Sequence, residues 1–233
     1  MRAWAVVCLC LAVVGGALAP ARAAWAQTPA PDLRAAHASC ARSMVRIEGV
    51  NATFGSGWVV ELGGHRYVVT NAHVVAGETD LWVTFNTEEG RVGSLGTIAY
   101  LSHVIDLALI EVVGAIPVEP LRFVSGRVVR GERVVIGGNP GGLSFITTEG
   151  IIGGVATGSE VANACGAGLE CLVVDAEAEP GSSGGPVLDH SGNVIGMIWG
   201  VYTGASFSIA IPAETLATEL MSADRVLLAR SHR

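Results

Sequence analysis

Gly181-Ser182-Ser183-Gly184-Gly185-Pro186 is the stretch on which the reading of this chain turns. A serine set among so many glycines either closes an ordinary hairpin or presents a nucleophile from a tight turn. Acyl transfer needs the second arrangement. The hydroxyl must project from the turn, and nearby main-chain N–H groups must aim at one point, where a carbonyl oxygen takes up negative charge. Glycine permits that backbone conformation and leaves room for close approach. The N–H groups of Gly181 and Ser183 are the candidate donors. The hexapeptide alone does not choose between loop and nucleophile; its partners elsewhere in the chain do.

The same residues satisfy G-x-S-x-G, the turn that carries the nucleophile of α/β-hydrolases, a fold in which the acid and the histidine follow the serine. Only His190 and His232 follow Ser183, one in an adjacent turn and one at the chain end, and no helical patterns alternate with the strands. The upstream partners are better placed. Thr70-Asn71-Ala72-His73-Val74-Val75 sets a histidine at the end of an apolar strand. Ile105-Asp106-Leu107-Ala108-Leu109-Ile110 sets an acid at the mouth of another, where it has to be paired or solvated. Singly, these read as a buried or surface histidine and a turn aspartate. Together they supply a general base, His73, and an acid, Asp106, that fixes its tautomer and stabilises the imidazolium. The order His73, Asp106, Ser183 is the chymotrypsin order. His37, His65 and His103 have no comparable setting. With no H-E-x-x-H or C-x-x-C spacing, neither a metal nor a cofactor is expected.

Composition agrees with a turn-rich β protein. The chain has 233 residues, 50% of them hydrophobic, 15% charged and 31 of them glycine. That excludes disorder for most of its length. Short apolar runs separated by glycine-rich turns recur, among them 44–50, 57–60, 67–70, 81–85, 107–110, 133–136, 145–152, 172–174, 194–198 and 207–211. Such spacing indicates a sandwich or barrels, and no repeat of 20–50 residues is visible. From Glu214 to Arg230 the pattern changes, with apolar residues at 216, 220, 221, 227 and 228 spaced for a helix packed on the domain. No second domain is expected after it. The net charge of −7 argues against nucleic acid as a partner.

Residues 1–26 have the form of an export signal. Arg2 precedes the apolar stretch Ala3 to Leu18, and Ala21-Arg22-Ala23 and Ala24-Trp25-Ala26 offer cleavage after 23 or 26. The apolar stretch breaks at Gly15-Gly16 and is short for an anchor, so no stable membrane span is expected after cleavage. The protein is read as periplasmic or secreted. Residues 27–43 form an N-terminal segment, flexible at least over 27–33. In an oxidising compartment Cys165 and Cys171 are placed to bridge locally, leaving Cys40 free or paired between chains.

The chain resembles the HtrA (DegP-like) branch of trypsin-like serine proteases. The resemblance rests on Gly55-Ser56-Gly57-Trp58, Thr70 to Val75, Asp106-Leu107-Ala108-Leu109, Gly138-Asn139-Pro140, Asp175-Ala176, Pro180 to Pro186 and Ala210-Ile211-Pro212. It implies an all-β fold of two six-stranded antiparallel barrels, about 44–120 and about 121–212, with the site in the cleft between them and the helix at about 213–230. It also implies ATP-independent endopeptidase activity on exported or unfolded polypeptides. The rivals are a silent binding protein on the same fold and an esterase using the same triad. The family's usual PDZ domain has no counterpart before Arg233, and Ser182 stands where the family usually has Asn. By the same resemblance Ile198, Trp199 and Gly200 line the substrate pocket. Glu177 matches the base of that pocket in the wider trypsin-like family, where an acid selects Arg or Lys. HtrA-like pockets generally accept small aliphatic residues instead, in which case Glu177 faces solvent.

Overall fold

The computed structural model describes residues 32–123, 128–161, 164–166, 168–202 and 206–231. The proposed export signal and most of the 27–33 segment lie outside the described residues. The first six strands are β1 (Met44–Gly49), β2 (Phe54–Leu62), β3 (His65–Thr70), β4 (Leu81–Thr87), β5 (Gly90–Ser102) and β6 (Leu107–Val112). They close into a barrel in the order β1-β2-β3-β6-β5-β4. The second six are β7 (Arg133–Gly138), β8 (Ile146–Thr157), β9 (Glu170–Asp175), β10 (Pro186–Leu188), β11 (Val194–Tyr202) and β12 (Phe207–Pro212). They close as β7-β8-β9-β12-β11-β10, the same connectivity. Two barrels of one topology, without detectable sequence repetition, are what the resemblance implied.

Alternation of side chains along a strand explains the core. Val59 of β2 and Ala108 and Ile110 of β6 point into the first barrel, among Val45, Ile47, Val68, Val83 and Phe85. Their neighbours Trp58, Val60, Leu107 and Leu109 belong to another cluster, which joins residues of both barrels and both helices. That is why 107–110 reads as an unbroken apolar run: the strand is buried on both faces. A third cluster, including Val134, Ile136, Ile152, Val174, Val187 and Ile195, fills the second barrel.

Two helices complete the fold. Helix α1 (Arg34–Ser43) follows Leu33 and buries Ala36 and Cys40 in the shared cluster. A helix here differs from the N-terminal segment of no assigned structure expected over 27–43. Helix α2 (Ala213–Ser231) agrees with the periodicity reading, and its buried stripe is Ala213, Leu216, Leu220 and Ala223. Each fully buried leucine contributes roughly 1.5–3 kcal/mol. Met221 and Leu228, also apolar, lie off that stripe and are exposed. The helix is tied to the first barrel by the Tyr100 hydroxyl, which donates to Glu219 at 2.6 Å, and by Arg230, which donates to the Ala99 carbonyl at 3.0 Å. Among the described residues no helix is long and apolar enough to cross a membrane.

Candidate active site

His73 sits on a single 3₁₀ turn, Ala72–Val75, directly after β3. The neighbours Val74 and Val75 are buried and anchor the turn, while the His73 side chain is 45% exposed. Asp106 ends the connection from β5 to β6 with φ 55°, the left-handed region that aspartate tolerates better than most residues. Its Oδ1 accepts from the His73 main-chain N–H at 2.8 Å and its Oδ2 lies 2.6 Å from Nδ1. With Nδ1 committed to Asp106, Nε2 is the nitrogen left for proton transfer. The buried Asn71 holds this acid from behind: its Nδ2 donates to the Asp106 carbonyl at 3.0 Å, and the Ala72 N–H donates to the same oxygen at 3.2 Å.

Ser183 is presented by a turn pinned on all sides. The Ser56 N–H donates to the Ser183 carbonyl and the Gly184 N–H to the Ile198 carbonyl, both at 2.9 Å, and the Ile198 N–H donates to the Gly185 carbonyl at 2.8 Å. Gly184 has φ 83°, and a Cβ there would collide with the Ser56 carbonyl oxygen, so the position requires glycine. The Ser183 hydroxyl donates to the Trp199 carbonyl at 3.1 Å. The hydroxyl must therefore be redirected from that carbonyl before it can donate to His73.

Gly181 takes φ 99°. The carbonyl of Pro180 before it accepts from the Gly141 N–H at 2.9 Å. Because a trans peptide sets C=O and N–H in opposite directions, the Gly181 N–H points away from the Gly141 loop.

His73, Asp106 and Ser183 line one cavity of about 770 Å³ together with His103, Val104, Ala164, Gly166, Trp199 and Gly200. A β-bulge in the β11–β12 pairing between Ile198 and Gly200 makes Trp199 the extra residue. The bulge re-aims its ring, which meets the His73 ring edge to face at 6.2 Å. A second cavity of about 360 Å³ adjoins Ser183 and is lined by Ala178, Glu179, Pro180, Ser182, Ile198, Gly200 and Val201. Ile198, Trp199 and Gly200 thus stand beside Ser183. Glu177 is exposed and lines neither cavity. The sequence reading did not single out His103, Val104, Ala164 or Gly166. The signal available was position alone, since they flank Asp106 and Cys165 in the chain.

Cys165 and Cys171 are disulfide-bonded, with Cα atoms 5.7 Å apart, next to the cavity-lining Ala164 and Gly166. Cys40 is a free, fully buried thiol whose pKa burial pushes up to about 12. Among the described residues no cluster of three or more His, Cys, Asp or Glu could hold a metal ion.

Residues 55–197 match the trypsin-like peptidase domain. The chain is 35% identical over 163 residues to the putative serine protease HhoA of Synechocystis sp., an alignment spanning 67% of this chain and 40% of that protein. It is 34% identical over 175 residues to Protease Do-like 1, chloroplastic, of Arabidopsis thaliana, spanning 70% of this chain and 37% of that one. The chain therefore spans about two fifths of the length of these relatives. Among solved structures, the inactive form of the Rv3671c protease superposes with a TM-score of 0.69 at 28% identity, covering 81% of this chain and 92% of that one. The active form of the M. tuberculosis protease superposes equally, at 0.69 and 26% identity, covering 80% and 82%. With the fold, the matched domain and the geometry of His73, Asp106 and Ser183 in agreement, the chain belongs to the trypsin-like serine peptidases and is similar to their HtrA and Do-like members.

Proposed function

We propose that the chain is a serine endopeptidase that cleaves polypeptides through an acyl-enzyme, and that it works outside the cytoplasm after removal of its export signal. The observation that carries this reading is the His73–Asp106 pair at 2.6 Å, opening on the same cavity as Ser183. The Ser183 hydroxyl turns from the Trp199 carbonyl to His73 Nε2 and attacks the scissile carbonyl carbon as Nε2 takes its proton. The imidazolium is held by Asp106 through Nδ1–H. The carbonyl oxygen, now an oxyanion, accepts from the Gly181 and Ser183 N–H groups. Collapse breaks the C–N bond, and Nε2 returns the proton to the leaving amine. A water molecule, deprotonated by Nε2, then releases the acyl group by the same steps.

The cavity beside Ser183 favours small aliphatic side chains before the scissile bond. Its apolar lining comes from Ala178, Pro180, Ile198 and Val201; Glu179 stands among them, and Glu177 lies outside it. Labelling with a fluorophosphonate, followed by digestion of casein and of a panel of simple esters, tests the reading. The expected result is one adduct, on Ser183, and cleavage of casein. Ester hydrolysis without casein cleavage would assign an esterase instead, and an unlabelled Ser183 would assign a silent binding protein.

A further inference from the structure

We propose that Ser56 and Asn139, both buried and outside both cavities at Ser183, are positioning residues that set the oxyanion hole of Ser183. The inference rests on the peptidase reading above and adds to it the part of the scaffold that holds the Gly181 N–H in place.

A glycine at φ 99° has little intrinsic reason to stay there. The direction of its N–H is fixed only if the peptide planes on both sides are fixed. On one side the Pro180 carbonyl is held by the Gly141 N–H at 2.9 Å. On the other, the Gly181 carbonyl accepts from the Ser56 hydroxyl at 2.6 Å. Ser56 belongs to β2 of the first barrel, whereas Gly181 precedes β10 of the second. The bond therefore carries the alignment of one barrel to the turn of the other.

The Ser56 hydroxyl is itself oriented. A hydroxyl has one proton and two lone pairs. Asn139 donates to the oxygen twice, from its main-chain N–H at 2.8 Å and from Nδ2 at 3.0 Å. With the lone pairs filled, the proton is left to point at the Gly181 carbonyl. Asn139 is anchored in turn. Its Nδ2 also reaches the Val45 carbonyl at 3.0 Å and the Gly55 carbonyl at 3.4 Å, and its Oδ1 accepts from the Phe145 N–H at 3.0 Å. Asn139 opens the short turn that carries Gly141, so one buried side chain governs both restraints on Gly181. The turn is packed against it as well, because a Cβ on Gly181 would collide with the Asn139 carbonyl oxygen.

The test uses Ser56→Ala in the full chain, with Ser56→Cys as a nearly isosteric variant that keeps a weak donor should the alanine protein fail to fold. Loss of the restraint acts on the transition state and not on substrate binding. The expected result is a fall in kcat of about 10–100-fold, below the loss from deleting an oxyanion donor outright, with KM within about twofold of wild type. A peptidyl trifluoromethyl ketone, whose adduct places an oxyanion in the hole, should weaken by the same factor as kcat/KM. Asn139→Ala should act in the same direction, and the double variant should lose less than the sum of the two. A crystal structure of Ser56→Ala should show the Gly181–Ser182 peptide, whose carbonyl Ser56 holds, turned from its present plane, and the Gly181 N–H displaced with it. An unchanged kcat, or an unmoved Gly181 peptide, overturns the proposal. Were wild type itself inactive, the peptidase reading would fall while the crystal structure still decided whether Ser56 holds Gly181.

Discussion

Asp106 grips His73 at two points, its Oδ1 accepting from the main-chain N–H at 2.8 Å and its Oδ2 lying 2.6 Å from Nδ1. The left-handed φ of 55° at Asp106 lets one carboxylate serve both. The first bond fixes the backbone of the histidine turn, and the second fixes which ring nitrogen carries the proton.

Asp106→Asn separates these two functions. The amide keeps an oxygen for the His73 N–H but turns a donor toward Nδ1. The imidazole then carries its proton on Nε2, where it cannot take one from Ser183. The expected loss in kcat near neutral pH is on the order of 10⁴, with the fold intact by circular dichroism. Steady-state kinetics on a chromogenic peptide check it, and a loss below about tenfold would mean that Asp106 does not set the tautomer.

Glu78 makes the fold acid-sensitive near the histidine turn. Its carboxylate accepts from the Thr53 hydroxyl at 2.7 Å, the Asn51 Nδ2 at 3.1 Å and the Asn51 N–H at 3.3 Å, tying the β1–β2 turn to the segment after His73. The Thr53 bond first, and the Asn51 bonds after it, hold its pKa below the ordinary 4.5. A lowered folded pKa means that the unfolded chain binds the proton more readily. The stabilisation is therefore complete above about 4.5 and is lost as the pH falls toward the folded value. Thermal melts of wild type and Glu78→Gln should differ most above that pH and converge below it. A gap in melting temperature that does not change with pH would contradict the assignment.

The disulfide closes a loop beside the cleft. Removing it as Cys165→Ala/Cys171→Ala should destabilise by roughly 2 kcal/mol, from the chain entropy of so short a loop. That corresponds to about 4–8 °C in melting temperature. Non-reducing peptide mapping of exported protein should find Cys165 joined to Cys171 and Cys40 unalkylated until the protein unfolds, since the thiol is buried and its pKa raised to about 12. Alkylation of both loop cysteines under native conditions would contradict the pairing.

Much of this was legible in the sequence, and the exceptions have physical causes. Ten of the strands announce themselves as apolar runs. Strand β5 does not, because three of its residues, Gly90, Gly93 and Gly96, carry no side chain. At Gly93 the space is taken by the Trp82 ring, and at Gly96 by Ile110. Strand β10 is three residues long and begins with a proline. Helix α1 exposes most of its surface and buries only Ala36, Cys40 and Ser43 along with the preceding Leu33, too small an apolar stripe to stand out. At the site, the triad was legible because His73 follows an apolar strand, Asp106 precedes another and Ser183 lies in a glycine-rich turn. Ser56 and Asn139 were legible only as parts of family-like motifs, since a hydrogen bond across 83 positions of sequence leaves no local pattern. Glu177 shows the opposite failure: the position resembles a pocket base, yet the side chain is exposed.

Specificity follows from that exposure. A peptide-library digest should favour Val, Ala or Leu before the cut, and Glu177→Ala should leave the profile unchanged to within about twofold at each position. Val201→Glu, which adds a second acid to a lining that already includes Glu179, should instead shift preference toward basic residues. A wild-type preference for Arg or Lys that Glu177→Ala abolishes would return Glu177 to the pocket.

The most direct test of the account is the casein-cleavage rate of purified Ser183→Ala beside wild type. A triad acting as a unit loses on the order of 10⁶ in kcat when its nucleophile is removed. The substitution deletes one hydroxyl from a turn held by main-chain bonds, so the melting temperature should hardly move. The account predicts a folded protein with no detectable cleavage. Cleavage by Ser183→Ala at the wild-type rate would contradict it.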